Sequence, residues 1–409
     1  MNPHRIQMSL ETKFIVETDL RSHKKYGLTP MDAQEIFQNF SQEKDDVGTM
    51  SHQFFRKTLY PLIQQADDTW SKQRRSIQEF TSDACFKGSN FDLHVPPSLA
   101  NKIRQAKSYH QRGYEIEMNG RVFCCMWISM KRRKNAFYER ALYKVYLWLF
   151  ALCAFKPALK RLVHIYIYLL PDRKELPNHP GLGVDDINTG STSASKEIYI
   201  FREEEWFKVL IHETFHSLDF SGSVSADSAA IQTMLQRECF PALRSEVLLF
   251  ESYCEFWADV LHTFFVAYFS ESKALYKVAN HLLSVELAFS RMQCVKVLRH
   301  YGLTYADLFQ SNKSFQETES NAFAYYVLKC VMMQNSAEFL DWHFRMNGAN
   351  ALKFKEENIV GFCKWLCAAS RSKRTWESLA EAGVRFETAL SKSVRQTLRM
   401  VCLEDDVFA

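Results

Sequence analysis

The sequence predicts an α+β protein: a small mixed or antiparallel sheet, an HExxH helix beside it, and then a mostly α-helical C-terminal half. Three observations predict this. Apolar residues alternate between turn residues over Tyr114–Trp127, Leu162–Leu169 and Glu197–Phe201, the period of strands. Residues 135–155 and the stretch VLIHETFHSL (Val209–Leu218) carry the longer period of helices. After Pro241 proline disappears, and the helical period continues toward the C-terminus.

Taken in order, residues 1–98 read as a polar, helical N-terminal region, with helices around Pro30–Phe40 and Ser51–Phe80. Thr29-Pro30 is an N-cap followed by proline at the first helical position, where its missing N–H costs nothing. Gly88-Ser89-Asn90 and Pro96-Pro97 punctuate the end of this region. Residues 99–409 form the second unit, with a sheet-containing part to 220 and a helical part from 221. It opens with a hairpin, Tyr114–Met118 and Arg121–Trp127 about an Asn119-Gly120 turn. Lys131-Arg132-Arg133-Lys134 follows and reads as a solvated run ahead of the apolar helix 135–155. Pro171 to Asn188 is loop, and the strand Glu197–Phe201 leads straight into the HETFH helix.

Composition narrows the classes. Charged residues make up 24% and hydrophobic ones 47%, an ordinary soluble balance. A net charge of +4 is too small to argue for nucleic acid or for an anionic membrane. The longest apolar run, Val145–Phe155, falls well short of the roughly 20 residues that span a bilayer. The N-terminus lacks the apolar core of a signal peptide. Eleven cysteines are scattered without a CxxC; the nearest approaches are Cys124-Cys125 and Cys363-Lys-Trp-Leu-Cys367. A reducing, cytoplasmic setting is therefore expected, compatible with packaging in a virus particle, and the N-terminal region is left free for a protein partner.

The chemistry concentrates in HETFH. His212 and His216 are four apart, so on a helix they project from one face, one turn apart, and both imidazoles can reach one zinc ion. Glu213, beside the first histidine, is placed to take a proton from a metal-bound water. The flanks Val209-Leu-Ile211 and Ser217-Leu218 are uncharged, as a helix buried beneath a cleft requires. A third ligand must come from elsewhere, because Asp219 and Gly222 stand where the extended HExxHxxGxxH form needs glycine and histidine. The next helix offers Glu251, Glu255 and Asp259, an acidic stripe at intervals of four among Tyr253, Phe256 and Trp257. Acids on so apolar a helix are costly unless paired or metal-bound. Glu255 is favoured as the ligand, with Asp259 accepting the second ring proton of a histidine. The rival register makes Glu251 the ligand and puts Glu255 behind it.

HETFH followed by Glu255-Phe-Trp-Ala-Asp259 resembles the HExxH…ExxxD signature of the thermolysin-like zinc peptidases, the gluzincins. The segments Ile187-Asn-Thr-Gly190, Ile198-Tyr-Ile200 and Glu204-Glu-Trp-Phe-Lys208 resemble, more loosely, metallopeptidase-like proteins of large DNA viruses. The resemblance implies one zinc held by His212, His216 and Glu255, with Glu213 as general base and then proton shuttle to the leaving amine. It implies a peptide or protein substrate paired along the strand 197–201, with Asn188 and Thr189 lining the cleft. It also implies an oxyanion stabiliser, for which Tyr325, Tyr326 and His262 are candidates. The rival expectations are a catalytically silent protein that keeps the fold, for example as a virion component, and a zinc hydrolase acting on something other than a peptide.

Overall fold

The strand patterns of the sequence become one sheet because each strand has two apolar faces to cover. The computed structural model of the protein describes residue 50 and residues 52–404, except 81–87, 107–109, 119–120, 130–132, 157–162, 194–196, 221–228, 319, 349–351 and 387–391. Among these residues six strands form a mixed sheet: β1 (Gln78–Phe80), β2 (His110–Met118), β3 (Arg121–Ser129), β4 (Val163–Leu170), β5 (Gly190–Thr192) and β6 (Ile198–Arg202). Their order is β1-β2-β3-β4-β6-β5. The pairs β1·β2, β2·β3 and β5·β6 are antiparallel, whereas β3·β4 and β4·β6 are parallel. In the β2–β3 hairpin Met118 pairs with Arg121, so the connection is the two residues 119–120; the Asn-Gly turn itself lies outside the described residues.

Side chains alternate across a strand, so one strand feeds two cores. On β4, Ile165, Ile167 and Leu169 enter the main core, while Tyr166, Tyr168 and Leu170 enter a smaller one on the other face. On β6, Ile198 and Ile200 divide from Tyr199 and Phe201 in the same way. The smaller core is closed by the short helices Phe91–His94 and Pro97–Gln105, through Phe91, Val95, Leu99 and Ile103.

The main core lies between the sheet and the helices. Helix α1 (Tyr60–Ser76), preceded by a π turn Phe55–Leu59, packs against α2 (Asn135–Phe155), which is apolar nearly all round and makes the parallel crossover from β3 to β4. Next come α3 (Trp206–Ser217), α4 (Leu249–Phe269) and α5 (Leu275–His300). A π turn Phe323–Leu328 runs on into α6 (Lys329–Gln334), and α7 (Ile359–Ser370) follows after the helix Ser336–Asn347 and a 3-10 turn Glu356–Asn358. The molecule is thus α+β with a mostly helical C-terminal half.

Four features differ from the sequence reading. Residues 50–98 have no core of their own: Met50, Phe54, Phe55, Leu59, Ile63 and Ala66 belong to the main cluster, and β1 extends the sheet. The boundary expected near 98 therefore separates no two cores; the helix at Pro30–Phe40 and its Thr29-Pro30 cap lie outside the described residues. Arg133 is not solvated but pairs with Glu203 at 2.8 Å and covers the Phe137 ring. A disulfide joins Cys239 to Cys367. Residues 397–404 are not helical; they thread, buried or nearly so, along the inner ends of other elements. Among the described residues no helix is long and apolar enough to cross a membrane.

Candidate metal centre on the HETFH helix

Helix α3 forms where the interior β6 strand runs out and the chain turns through Glu205, whose left-handed φ of 60° redirects the backbone. Of its twelve residues His216 alone is half-buried and the rest are buried, so sequence apolarity here becomes a helix sunk between sheet and α4. Its far side is pinned by Trp148, whose indole N–H donates to Thr214 Oγ1 at 2.9 Å. The face that remains carries His212, Glu213 and His216, and α4 packs across it.

Three donor atoms meet there. His212 Nε2 and His216 Nε2 are 3.1 Å apart, and Glu251 Oε2 lies 3.2 Å from the first and 3.4 Å from the second. In tetrahedral coordination, zinc bonds of about 2.0–2.2 Å put neighbouring donors roughly 3.3–3.6 Å apart. The triangle of two imidazoles and a carboxylate matches that spacing to a few tenths of an ångström. His212, His216 and Glu251 therefore fit a zinc ion in both donor type and dimension.

This corrects the expected register. Glu255, favoured as third ligand on spacing, lies behind the His212 ring: its Oε2 is 2.9 Å from Nδ1, an ion-pair contact not aligned as a hydrogen bond, and its Oε1 accepts from Lys208 Nζ. Glu255 thus takes the supporting place expected of Asp259, and Glu251 takes the place expected of Glu255. Asp259 does not reach a histidine; it accepts from Lys329 Nζ at 2.6 Å and lies 3.8 Å from Lys208. Two lysines and two carboxylates, all buried, balance one another one layer beneath the metal face.

The protonation pattern shows what this centre wants. Burial alone would lower the His212 pKa, but Glu251 and Glu255 outweigh it and lift it to about 10. For His216 burial is likewise outweighed, by the Cys254 thiol and Glu251, and its pKa lies well above the usual histidine value. Burial would raise Glu251, yet the two rings hold it well below the usual carboxylate range. Glu255 is also held down, with Lys208 and His212 overcoming its burial. The triangle is an acid-stabilised hole for positive charge, filled by protons or by a cation.

The remaining site residues divide. Glu213 is buried; its Oε2 accepts from Thr192 Oγ1 at 2.7 Å, and the same hydroxyl lies 3.1 Å from the Glu213 carbonyl. Thr192 sits on β5, which comes this close because Gly190 has no side chain: a Cβ there would stand 2.6 Å from Val209 Cγ1 and 3.3 Å from Glu213 Cγ. Tyr325 reaches the centre, donating to Glu251 Oε2 at 3.0 Å with its ring edge-on to His212. Burial, reinforced by Glu251 and Glu213, keeps its hydroxyl protonated. Tyr326 points away and donates to the Leu398 carbonyl. His262 is core, beside Phe207, and burial pushes its pKa down to about 3.

Asn188 and Thr189 do not touch the triangle. They lead into β5, Asn188 through a carbonyl bonded to Arg202 Nε and Thr189 through one bonded to Phe201 N–H. The strand expected at the edge, β6, is interior, and β5 beyond it ends the sheet. Sequence reasoning missed Thr192 and Cys254, and named Gly190 only within the segment Ile187–Gly190, with no role of its own. It saw Lys208 without giving it a role, although a lysine four residues before His212 in an apolar helix signals a buried carboxylate partner. Comparison with protein-family models, with curated proteins and with solved structures gives no match.

Proposed function

We propose that the protein is a zinc-dependent peptidase that hydrolyses peptide bonds at the HETFH face. What carries the reading is the triangle of His212 Nε2, His216 Nε2 and Glu251 Oε2, with Glu213 next to it in the chain. A zinc ion bound there supplies a Lewis acid and lowers the pKa of a water molecule. Glu213 then acts as general base: Thr192 fixes one carboxylate oxygen, and Oε1 is left to take the proton and return it to the leaving amine. Glu255 holds the His212 ring from behind, and Lys208 holds Glu255. Tyr325, kept protonated, orients Glu251 and stands ready as a donor toward developing negative charge. The outer edge of β5 offers main-chain groups to an extended substrate backbone, replacing β6 in that part.

The burial of His212 and Glu213 and the Thr192 clasp favour a second reading, a closed scaffold that binds zinc without turnover. One pair of measurements separates the two. Zinc per chain, by elemental analysis, is expected near one in the wild type and in Glu213→Gln, and near zero in His216→Ala. Peptide-library cleavage is expected from the wild type alone. Cleavage by Glu213→Gln at the wild-type rate would remove Glu213 from the mechanism. Zinc without cleavage in any protein would leave the scaffold.

A further inference from the structure

A second cluster of metal-ligating side chains lies away from the HETFH face and shares no residue with it. Cys239 ends the π turn Leu235–Cys239, and Cys363 and Cys367 stand four apart on α7, so one helix face presents both to the first. The sulfurs of all three lie within 4.8 Å of one another. Cys239 and Cys363 are buried and Cys367 is half-buried, which gives the cluster one solvent-facing side. A disulfide needs two of these residues, and the structure joins Cys239 to Cys367 with their Cα atoms 4.9 Å apart. The third thiol, Cys363, is left free beside that bond.

The convergence of a third sulfur is what a simple staple does not explain. Zinc–thiolate bonds of about 2.3 Å place sulfurs roughly 3.8 Å apart in a tetrahedral site, within the span seen here. Deprotonation is left to the metal, because burial and then Glu238 push the Cys363 thiol up to about 12. Arg371, one turn beyond Cys367, donates through Nη2 to the Cys239 carbonyl at 3.3 Å. Glu238, adjacent to Cys239, is exposed and stands outside the group of three sulfurs.

We propose that, once the Cys239–Cys367 bond is reduced, Cys239, Cys363 and Cys367 together hold one thiophilic divalent cation of the zinc class. A dithiol reductant, itself closing to a disulfide, delivers two electrons and two protons to the Cys239–Cys367 bond, which opens to two thiols beside that of Cys363. Binding of the cation expels their protons to solvent as the three sulfur–metal bonds form. Metal occupancy and the disulfide exclude each other, so the π turn is tied to α7 in either redox state, through Cys239 and Cys367 when oxidised and through all three sulfurs when metal is bound.

The test uses the full chain carrying His216→Ala, so that the HETFH face takes no metal, reduced with a dithiol, freed of reductant under argon, and titrated with Cd2+ while the ultraviolet thiolate-to-cadmium band is read. The HETFH face has no cysteine in its donor triangle, so cadmium there adds no thiolate band of that strength. The expected result is a band that saturates at one equivalent, is absent from the unreduced protein, and weakens at least tenfold in affinity in Cys363→Ser. X-ray absorption at the cadmium edge of the same His216→Ala chain should count three sulfur neighbours, which keeps the test decisive if Cys363→Ser fails to fold. A band unchanged in Cys363→Ser, two or fewer sulfur neighbours, or a Cys239–Cys367 bond that resists reduction in the folded chain would each overturn the proposal in favour of a plain disulfide.

Discussion

At the scale of single residues, the centre turns on which acid of one stripe faces the histidines. Glu251 and Glu255 are one helical turn apart on the same face of α4, so helical period treats them alike, and the sequence shows HETFH without showing which acid faces it. The choice depends on how far α4 slides along α3, a packing register that no local pattern encodes. Lys208 is the residue that records it: its ammonium needs a buried carboxylate one turn below His212, and Glu255 fills that need. The expected consequence is an ordering of zinc affinities. Glu251→Ala removes a donor and should leave substoichiometric zinc after dialysis. Glu255→Gln keeps a polar group behind His212 and should retain zinc with about 10–100-fold weaker affinity, as losses behind a ligand do. Competition against a chromogenic chelator reads both, with thermal melts to confirm folding. Weaker binding in Glu255→Gln than in Glu251→Ala would return the ligand to Glu255.

At the scale of elements, the start of the segment Gly88–Gln105 is clasped to the sheet by one carboxylate, ahead of its apolar packing and the His94–Ser191 contact. Glu197, just before β6, accepts from Ser89 N–H at 2.9 Å, from Asn90 Nδ2 at 2.9 Å and from Tyr199 Oη at 2.7 Å. Gly88 allows the approach, since a Cβ there would stand 2.1 Å from Tyr199 Oη. Burial alone would raise the Glu197 pKa, but the Tyr199, Asn90 and Ser89 donors outweigh it and hold it down at about 2. Its folded pKa lies below the ordinary 4.5, so its contribution is complete above about pH 4.5 and is lost as pH falls toward 2. Glu197→Gln should cost about 2 kcal/mol at pH 7 and much less at pH 3, read from urea midpoints. Two curves that stay parallel from pH 7 to 3 would sink this account. Such a clasp joins residues more than a hundred positions apart, which is why sequence did not show it. The strands β2, β3, β4 and β6 were legible because alternation over five or more residues has a measurable period. β1 and β5, at three residues each, have none, and so the edge role fell to β6. The apolar spacing of Phe55, Leu59 and Ile63 was visible too, but which core it joins is decided by the distant α2 and α4.

At the scale of the whole molecule, the C-terminal segment Thr397–Glu404 ties the sheet half to the helical half without being helix or strand. Backbone buried outside regular structure must find its partners among side chains. Here Met400 and Val401 N–H donate to Glu205 Oε1 at 2.6 and 2.8 Å, and Cys402 and Leu403 N–H donate to Glu286. In return Gln293 Nε2 and Lys296 Nζ donate to the Thr397 carbonyl, Tyr326 to that of Leu398 and Lys329 to that of Met400. Lys329 also holds Asp259, which faces Lys208, which holds Glu255 behind His212, so the segment stands at the far end of the ion chain that supports the candidate metal centre. Stripping the segment away would leave Glu205, Glu286, Lys296 and Lys329 short of partners in the core. Leaving a buried polar group without its hydrogen bonds costs about 1–3 kcal/mol each, so several such losses together match the roughly 5–15 kcal/mol by which a domain is stable. A chain ending at Gln396 should therefore fail to yield soluble folded protein. In the intact protein, the amides of Met400, Val401, Cys402 and Leu403 should exchange with deuterium as slowly as those in the middle of α4, because both open only when the molecule unfolds as a whole. Exchange of these four amides within the time of exposed loops would show that the segment detaches by itself, and the metal centre would then not depend on it.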